Sequence, residues 1–171
     1  MLSAVTLLDD PADPDAIDRL ADTLSALVSG VAGGLVGDAI IVVPREAPGV
    51  ETVAEATGAV LVIHDGGAPF AAGAAHARRD WILCLEAGDV PAEGWIRTLD
   101  RFVGMAKPDI GIGRLHRAAP LRTRLLARIE GVVGARGVRA GDVVRKEDLL
   151  GRSGRSGRLR IRTLNGRIDR S

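Results

Sequence analysis

The sequence predicts an α/β protein with a doubly wound, mostly parallel sheet flanked by helices. Three observations carry that expectation. Apolar runs at 4–8, 39–43, 60–63 and 81–85 are continuous rather than alternating, as in strands buried on both faces. Segments with apolar residues at helical spacing separate these runs, the strand–helix alternation of a wound sheet. Acidic or turn-forming residues follow most of the runs, so parallel strands would deliver them to one edge.

In chain order, Ala4 to Leu8 forms the first run and stops at Asp9-Asp10-Pro11. Asp13-Pro14 opens a helix with Ile17, Leu20, Leu24, Leu27 and Val28 at helical spacing. Gly30, Gly33, Gly34 and Gly37 read as a helix stop and connector. A phosphate-binding loop needs strand before glycines and a following Gly-Lys-Ser/Thr, and neither is present. Ala39 to Val43 follows, then Pro44-Arg45-Glu46-Ala47, a helix from about Val50 to Thr57, and Val60 to Ile63 with His64-Asp65-Gly66-Gly67 beyond it. The helix from about Pro69 to Arg79 is rich in alanine and glycine, which allows close approach to a sheet. After the run at 81–85 come a turn through Ala87-Gly88 to Asp89 and a helix with Pro91 in its first turn. Trp95, Leu99, Phe102 and Val103 share one face of that helix. Ile110 to Leu115 is a further strand. Leu121, Leu125, Ile129, Val132 and Val133 mark a helix with Arg122, Arg124 and Arg128 off its apolar face.

With 171 residues and 46% hydrophobic content, the chain fits one domain with a sizeable core. It divides into an α/β core at 1–113 and an arginine-rich part at 114–171, with a flexible tail expected from about 155. Charge is split between them: residues 1–113 carry 7 basic and 17 acidic side chains, and residues 114–171 carry 16 and 5. Either the two parts pack against one another or the basic part meets an anion. The single cysteine, Cys84, lies in an apolar run, which excludes a disulfide framework and points to a reducing cytoplasm. No apolar run has membrane-spanning length, and the N-terminus lacks the basic region and cleavage site of a signal peptide. His64, His76 and His116 have no metal-ligand spacing, and no nucleophile elbow or dinucleotide fingerprint occurs.

The stretch Asp80 to Trp95 concentrates the chemistry. Glu86 and Asp89 follow a buried run at the carboxyl end of a strand, where open α/β sheets bind ligands. Asp89 has two readings, a ligand-site carboxylate or the N-cap of the following helix. Leu85, Ala87, Asp89, Pro91, Gly94 and Trp95 together resemble the centre of the family-2 glycosyltransferases, whose strand ends Leu-Asp-x-Asp-Asp before a proline and a Gly-Trp pair. Glu86 stands at the first aspartate of that pattern and Gly88 at the second. Gly73 and Ala77 fit the family's alanine-rich helix. Gly141, Asp142, Leu149, Gly151 and Gly154 fit its Gly-Asp-Gln-like run and Gly-Gly turn. The family's Glu-Asp pair follows that turn; here Glu147-Asp148 precedes it, and Arg155-Ser156-Gly157-Arg158 follows.

The resemblance implies the Rossmann-like nucleotide-diphospho-sugar transferase fold and transfer of a sugar from a nucleotide-diphosphate donor. It implies nucleotide-sugar binding by Asp9, Glu46, Glu86 and Asp89, with Glu86 and Asp89 holding Mg or Mn against the diphosphate. The arginine-covered helix adds a lipid-linked or membrane-surface acceptor and a place at the membrane periphery as expectations. The alternative is a non-catalytic descendant of the fold that binds a protein partner or an anionic surface through the arginine-rich half. Nucleic acid is the weakest partner, since four aromatic residues leave few platforms for base stacking.

Overall fold

The computed structural model describes residues 1–107, 110–117, 137–151 and 159–171. Eight strands form one mixed sheet: β1 (Leu2–Leu7), β2 (Val36–Val43), β3 (Val60–Ile63), β4 (Trp81–Glu86), β5 (Asp89–Pro91), β6 (Ile110–Arg117), β7 (Asp142–Arg145) and β8 (Arg160–Arg170). Their order is β3-β2-β1-β4-β7-β6-β8-β5. The first four, with β6 and β8, run one way; β7 and β5 run against them. The helices among the described residues are α1 (Ala16–Ala32), α2 (Pro48–Thr57), α3 (Pro69–His76), α4 (Trp95–Met105) and the short α5 (Lys146–Leu149).

Chain order explains the layering. From β1 the chain winds outward through β2 and β3, then crosses back to place β4 on the other side of β1. The core on one face joins Leu20, Leu24 and Leu27 of α1 to Trp95, Leu99 and Phe102 of α4 over Leu83 and Leu85. The opposite face packs Phe70 and Ala74 of α3 on Val5, Val42 and Cys84. β1 and β4 are buried along both faces, so their runs are continuously apolar rather than alternating. Gly73 allows α3 its close seat: a Cβ there would lie 2.5 Å from Val5 and 2.8 Å from Val42. Trp81 meets Phe102 edge-on at 5.2 Å, and the Arg145 guanidinium stacks 4.5 Å from the Trp81 ring.

Several sequence expectations need correction. Val28 faces outward at 63% exposure, because the buried stripe of α1 runs through Ala16, Leu20, Thr23, Leu24, Leu27 and Gly30. Gly30 is therefore helical and Gly37 lies within β2, so only Gly33 and Gly34 of that group form the turn. Residues 89–91 do not begin a helix; they form β5, and α4 starts at Trp95. Cross-strand pairing with β8 outweighs the local preference of Pro91 for a helix start. The stretch expected as a flexible tail includes β8, eleven residues long and paired with both β6 and β5. The arginine-covered helix with Arg122, Arg124 and Arg128 lies outside the described residues, as does Gly154. No helix among the described residues is long and apolar enough to cross a membrane.

Candidate functional site

The switch in winding direction falls between β1 and β4, whose carboxyl ends open side by side: Leu7 is the register partner of Glu86. Crevices of this kind are where open α/β sheets bind ligands. The turn at the end of β4 is held from three directions. Gly88 donates its amide to the Arg19 carbonyl at 3.0 Å and to Thr23 Oγ1 at 2.9 Å, which ties the turn to α1. Ala87 donates to the Leu7 carbonyl at 2.9 Å. Asp89 Oδ2 accepts the Glu86 amide at 2.8 Å, closing the turn on itself. Asp89 is thus no helix cap but the internal clasp of a reverse turn, with its side chain fully buried.

Two arginines from the basic part complete the arrangement. Arg117, at the end of β6, donates Nε to Asp89 Oδ1 at 2.8 Å and Nη2 to Glu86 Oε2. Arg170, opposite Asp89 on β8, donates Nη1 to Glu86 Oε2 at 2.8 Å and lies 3.8 Å from Asp89 Oδ1. Burial pushes the Glu86 carboxyl up, but the hydrogen bonds and charges of Arg117 and Arg170 outweigh it and hold the group below its usual range. For fully buried Asp89 the balance reverses: desolvation leaves it above its ordinary value despite the Glu86 amide and Arg117. Burial lowers the Arg117 guanidinium, but Glu86 and Asp89 overcome it and leave the group raised.

All four acids singled out in the sequence lie at or just beyond strand ends at one edge of the sheet. Glu86 and Asp89 share Arg117 and stand together. Asp9 and Glu46 are exposed just beyond the ends of β1 and β2, on the same edge of the sheet. Among the described residues neither forms an ion pair; Asp10 instead pairs with Arg45 at 3.3 Å across the two strand ends. Sequence reasoning named no arginine for this rim. The charge split was the available signal, and part of it is resolved here, where the basic part meets the acids of the α/β core.

The donor set does not fit a divalent cation as it stands. Such an ion needs about six oxygens, and three of the four carboxylate oxygens are already committed to Arg117, Arg170 or the Glu86 amide. Among the described residues no group of three or more His, Cys, Asp or Glu is placed to hold a metal. Arg117 spans the space between the two carboxylates.

Other solved structures share this architecture. A mycobacterial protein superposes with a TM-score of 0.60 at 14% identity, over 99% of this chain and 65% of its own. Glucosyl-3-phosphoglycerate synthase from Mycobacterium tuberculosis, in complex with Mn2+, UDP-glucose and phosphoglyceric acid, gives 0.59 at 15%, over 86% and 57%. This chain has the nucleotide-diphospho-sugar transferase fold. The likeness read from Leu85 to Trp95 extends to the whole architecture, at an identity where fold alone is shared. The chain spans about three fifths of the length of these structures. By sequence it matches no family profile and no curated protein.

Among the described residues, grooves also lie away from the rim. One, of about 700 Å³, runs between α4 and β8 and is lined by Arg97, Arg101, Lys107, Arg160 and Arg162 over a floor that includes Phe102. Another, of about 890 Å³, lies between α1 and α4 beside Trp95.

Proposed function

We propose that the chain binds a nucleotide-diphosphate sugar at the carboxyl ends of β1, β2 and β4 and serves transfer of its sugar to an acceptor. The observation that carries this reading is the coincidence of the β1–β4 switch point with the Glu86–Asp89 turn, in a fold shared with a UDP-glucose-bound synthase. Exposed Asp9 and Glu46 are suited to accept hydrogen bonds from nucleoside hydroxyls. Glu86 and Asp89, with their arginines, stand where the diphosphate would lie. A panel of nucleotide sugars tested by thermal shift on the full chain is the direct test. A rise in Tm for some members over their free nucleosides is expected, and no response across the panel would overturn the reading.

A second reading has its own support. Among the described residues, the groove between α4 and β8 is lined by five cationic side chains and by no carboxylate. A non-catalytic protein of this fold could use it for an acidic partner or an anionic surface, and a lipid-linked acceptor would also meet it there. Co-sedimentation with vesicles containing acidic phospholipid, lost on Arg97→Glu with Arg101→Glu, would favour that function. It requires no response to nucleotide sugars.

A further inference from the structure

We infer that Arg117 and Arg170 stand in for the divalent cation, so that the rim engages a diphosphate without metal. The inference rests on the donor-binding reading above and specifies how that site meets negative charge. Two carboxylates with one divalent ion sum to zero; so do Glu86 and Asp89 with two guanidiniums. The exchange therefore preserves the electrostatics that a diphosphate would meet. It also preserves free valence. A metal uses open coordination positions, whereas each guanidinium has five N–H donors in a fixed fork. Arg117 directs Nε and Nη2 at the carboxylates, leaving Nη1; Arg170 directs Nη1 at Glu86, leaving Nη2 and Nε. Planar forks of this kind match phosphate oxygens in pairs.

Placement supports the same conclusion. Arg117 comes from β6, 31 residues from Glu86, and Arg170 from β8, 84 residues away, yet both end on Glu86 Oε2. The Arg170 side chain is 40% exposed and that of Arg117 21% exposed, so solvent reaches the cluster. A cluster serving packing alone could be closed from water. The buried partner of Arg117, Asp89, is fixed by the turn amide and holds the guanidinium in place before any ligand arrives.

The test is binding of UDP to the full chain by calorimetry, in excess EDTA and again with manganese, with uridine as the phosphate-free control. Equal UDP affinity in both conditions, far above that of uridine, is the expected result. Arg170→Ala should then weaken metal-free binding about tenfold, as loss of a charge-assisted contact does. Arg117→Lys, which keeps the charge but loses the fork, should weaken it too. UDP binding that appears only with manganese would overturn the inference and leave the donor-binding reading standing. Absence of UDP binding in both conditions, with an intact circular dichroism spectrum, would overturn both. Metal-free binding unchanged in both folded variants would also overturn the inference, since the phosphates would then be held elsewhere.

Discussion

Strand β6 supplies two arginines to two acid clusters, and the clusters differ in kind. Arg114 grips Asp142 across the β6–β7 ladder, Nε to Oδ1 at 2.6 Å and Nη2 to Oδ2 at 2.9 Å. The side chains are 10% and 0% exposed, and Asp142 also accepts the Arg139 amide at 3.1 Å. Burial raises the Asp142 carboxyl, against the pull of Arg114. Three residues on, Arg117 meets two acids and shares them with Arg170 at a rim that water reaches. Among the described residues the first cluster sets one guanidinium fork on one carboxylate, both largely shut off from water. The second is open, with more donors than its carboxylates use. A saturated, buried ion pair positions strands, while an unsaturated one at a strand end is available to a ligand.

The largest expected effect breaks the closed pair. Asp142→Ala would remove the buried carboxylate that Arg114 grips with both prongs of its fork, a loss of roughly 3–5 kcal/mol in stability. Chemical denaturation should show it as a lower midpoint. Replacing both partners together, Arg114→Met with Asp142→Leu, should recover most of that loss, because a buried ion pair and a well-packed apolar pair are often near equal. The same double exchange at Arg117 and Glu86 should abolish any anion binding. If instead the Arg114–Asp142 exchange destroyed ligand binding and the rim exchange did not, the assignment of roles would be reversed.

Gly88 sharpens the contrast from the backbone side. It stands at the second aspartate of the family-2 glycosyltransferase pattern that this stretch resembles, and its φ is +94°, where an L-residue is strained. Its would-be Cβ also lies 3.4 Å from Arg19. Gly88→Asp is therefore expected to cost about 1–3 kcal/mol and to restore no manganese binding, checked by calorimetry with the metal alone. A gain of tight manganese binding would show that the arginines yield easily.

How much of this could be read from the sequence depended on how local the cause was. The runs at 39–43 and 81–85 are strands whose burial leaves a local mark, continuous apolar residues, that needs no knowledge of the rest of the fold. The run at 60–63 reads the same way, although β3 is an edge strand with Ile63 half exposed. Gly73 was legible for the same reason, since small residues permit close packing wherever a helix meets a sheet. β5 and β8 were not legible. Each is a strand because the other, or β6, lies beside it, and Arg160–Arg170 alternates polar and apolar residues too irregularly to advertise an edge. Glu86 and Asp89 were found from their position after a strand. Their partners were hidden by distances of 28 to 84 residues, and the charge split marked only that some partnership exists.

A smaller effect separates the members of the open cluster from each other. Arg170→Ala removes a half-exposed partner from Glu86, and exposed ion pairs contribute only about 0–1 kcal/mol. Stability should hardly change, in contrast with the loss of UDP affinity expected of the same variant.

The finest test is titration of the two carboxyls. The Glu86 pKa is lowered on folding, so its contribution to stability is present above the unfolded value of about 4.3 and is lost as pH falls through the folded value. The Asp89 pKa is raised, so its contribution has the opposite sign: it favours the folded state below the unfolded value of about 3.9 and is lost as pH rises through the folded value. The two act in adjacent windows, Glu86 raising stability with pH up to its unfolded value and Asp89 lowering it above its own, so the combined contribution of the cluster is greatest near pH 4. Carbon-13 NMR of the carboxyl groups resolves what a melting curve would average away. Asp89 should take up its proton above the pH of an ordinary aspartate, and Glu86 below that of an ordinary glutamate. Arg170→Ala should move Glu86 upward, because Arg170 bonds it at 2.8 Å, and move Asp89 less, since the same guanidinium stands 3.8 Å away. Equal movement of both carboxyls would mean that Arg170 acts on the cluster only as a distant charge, and the arginine pair would lose its claim to work as one cationic unit.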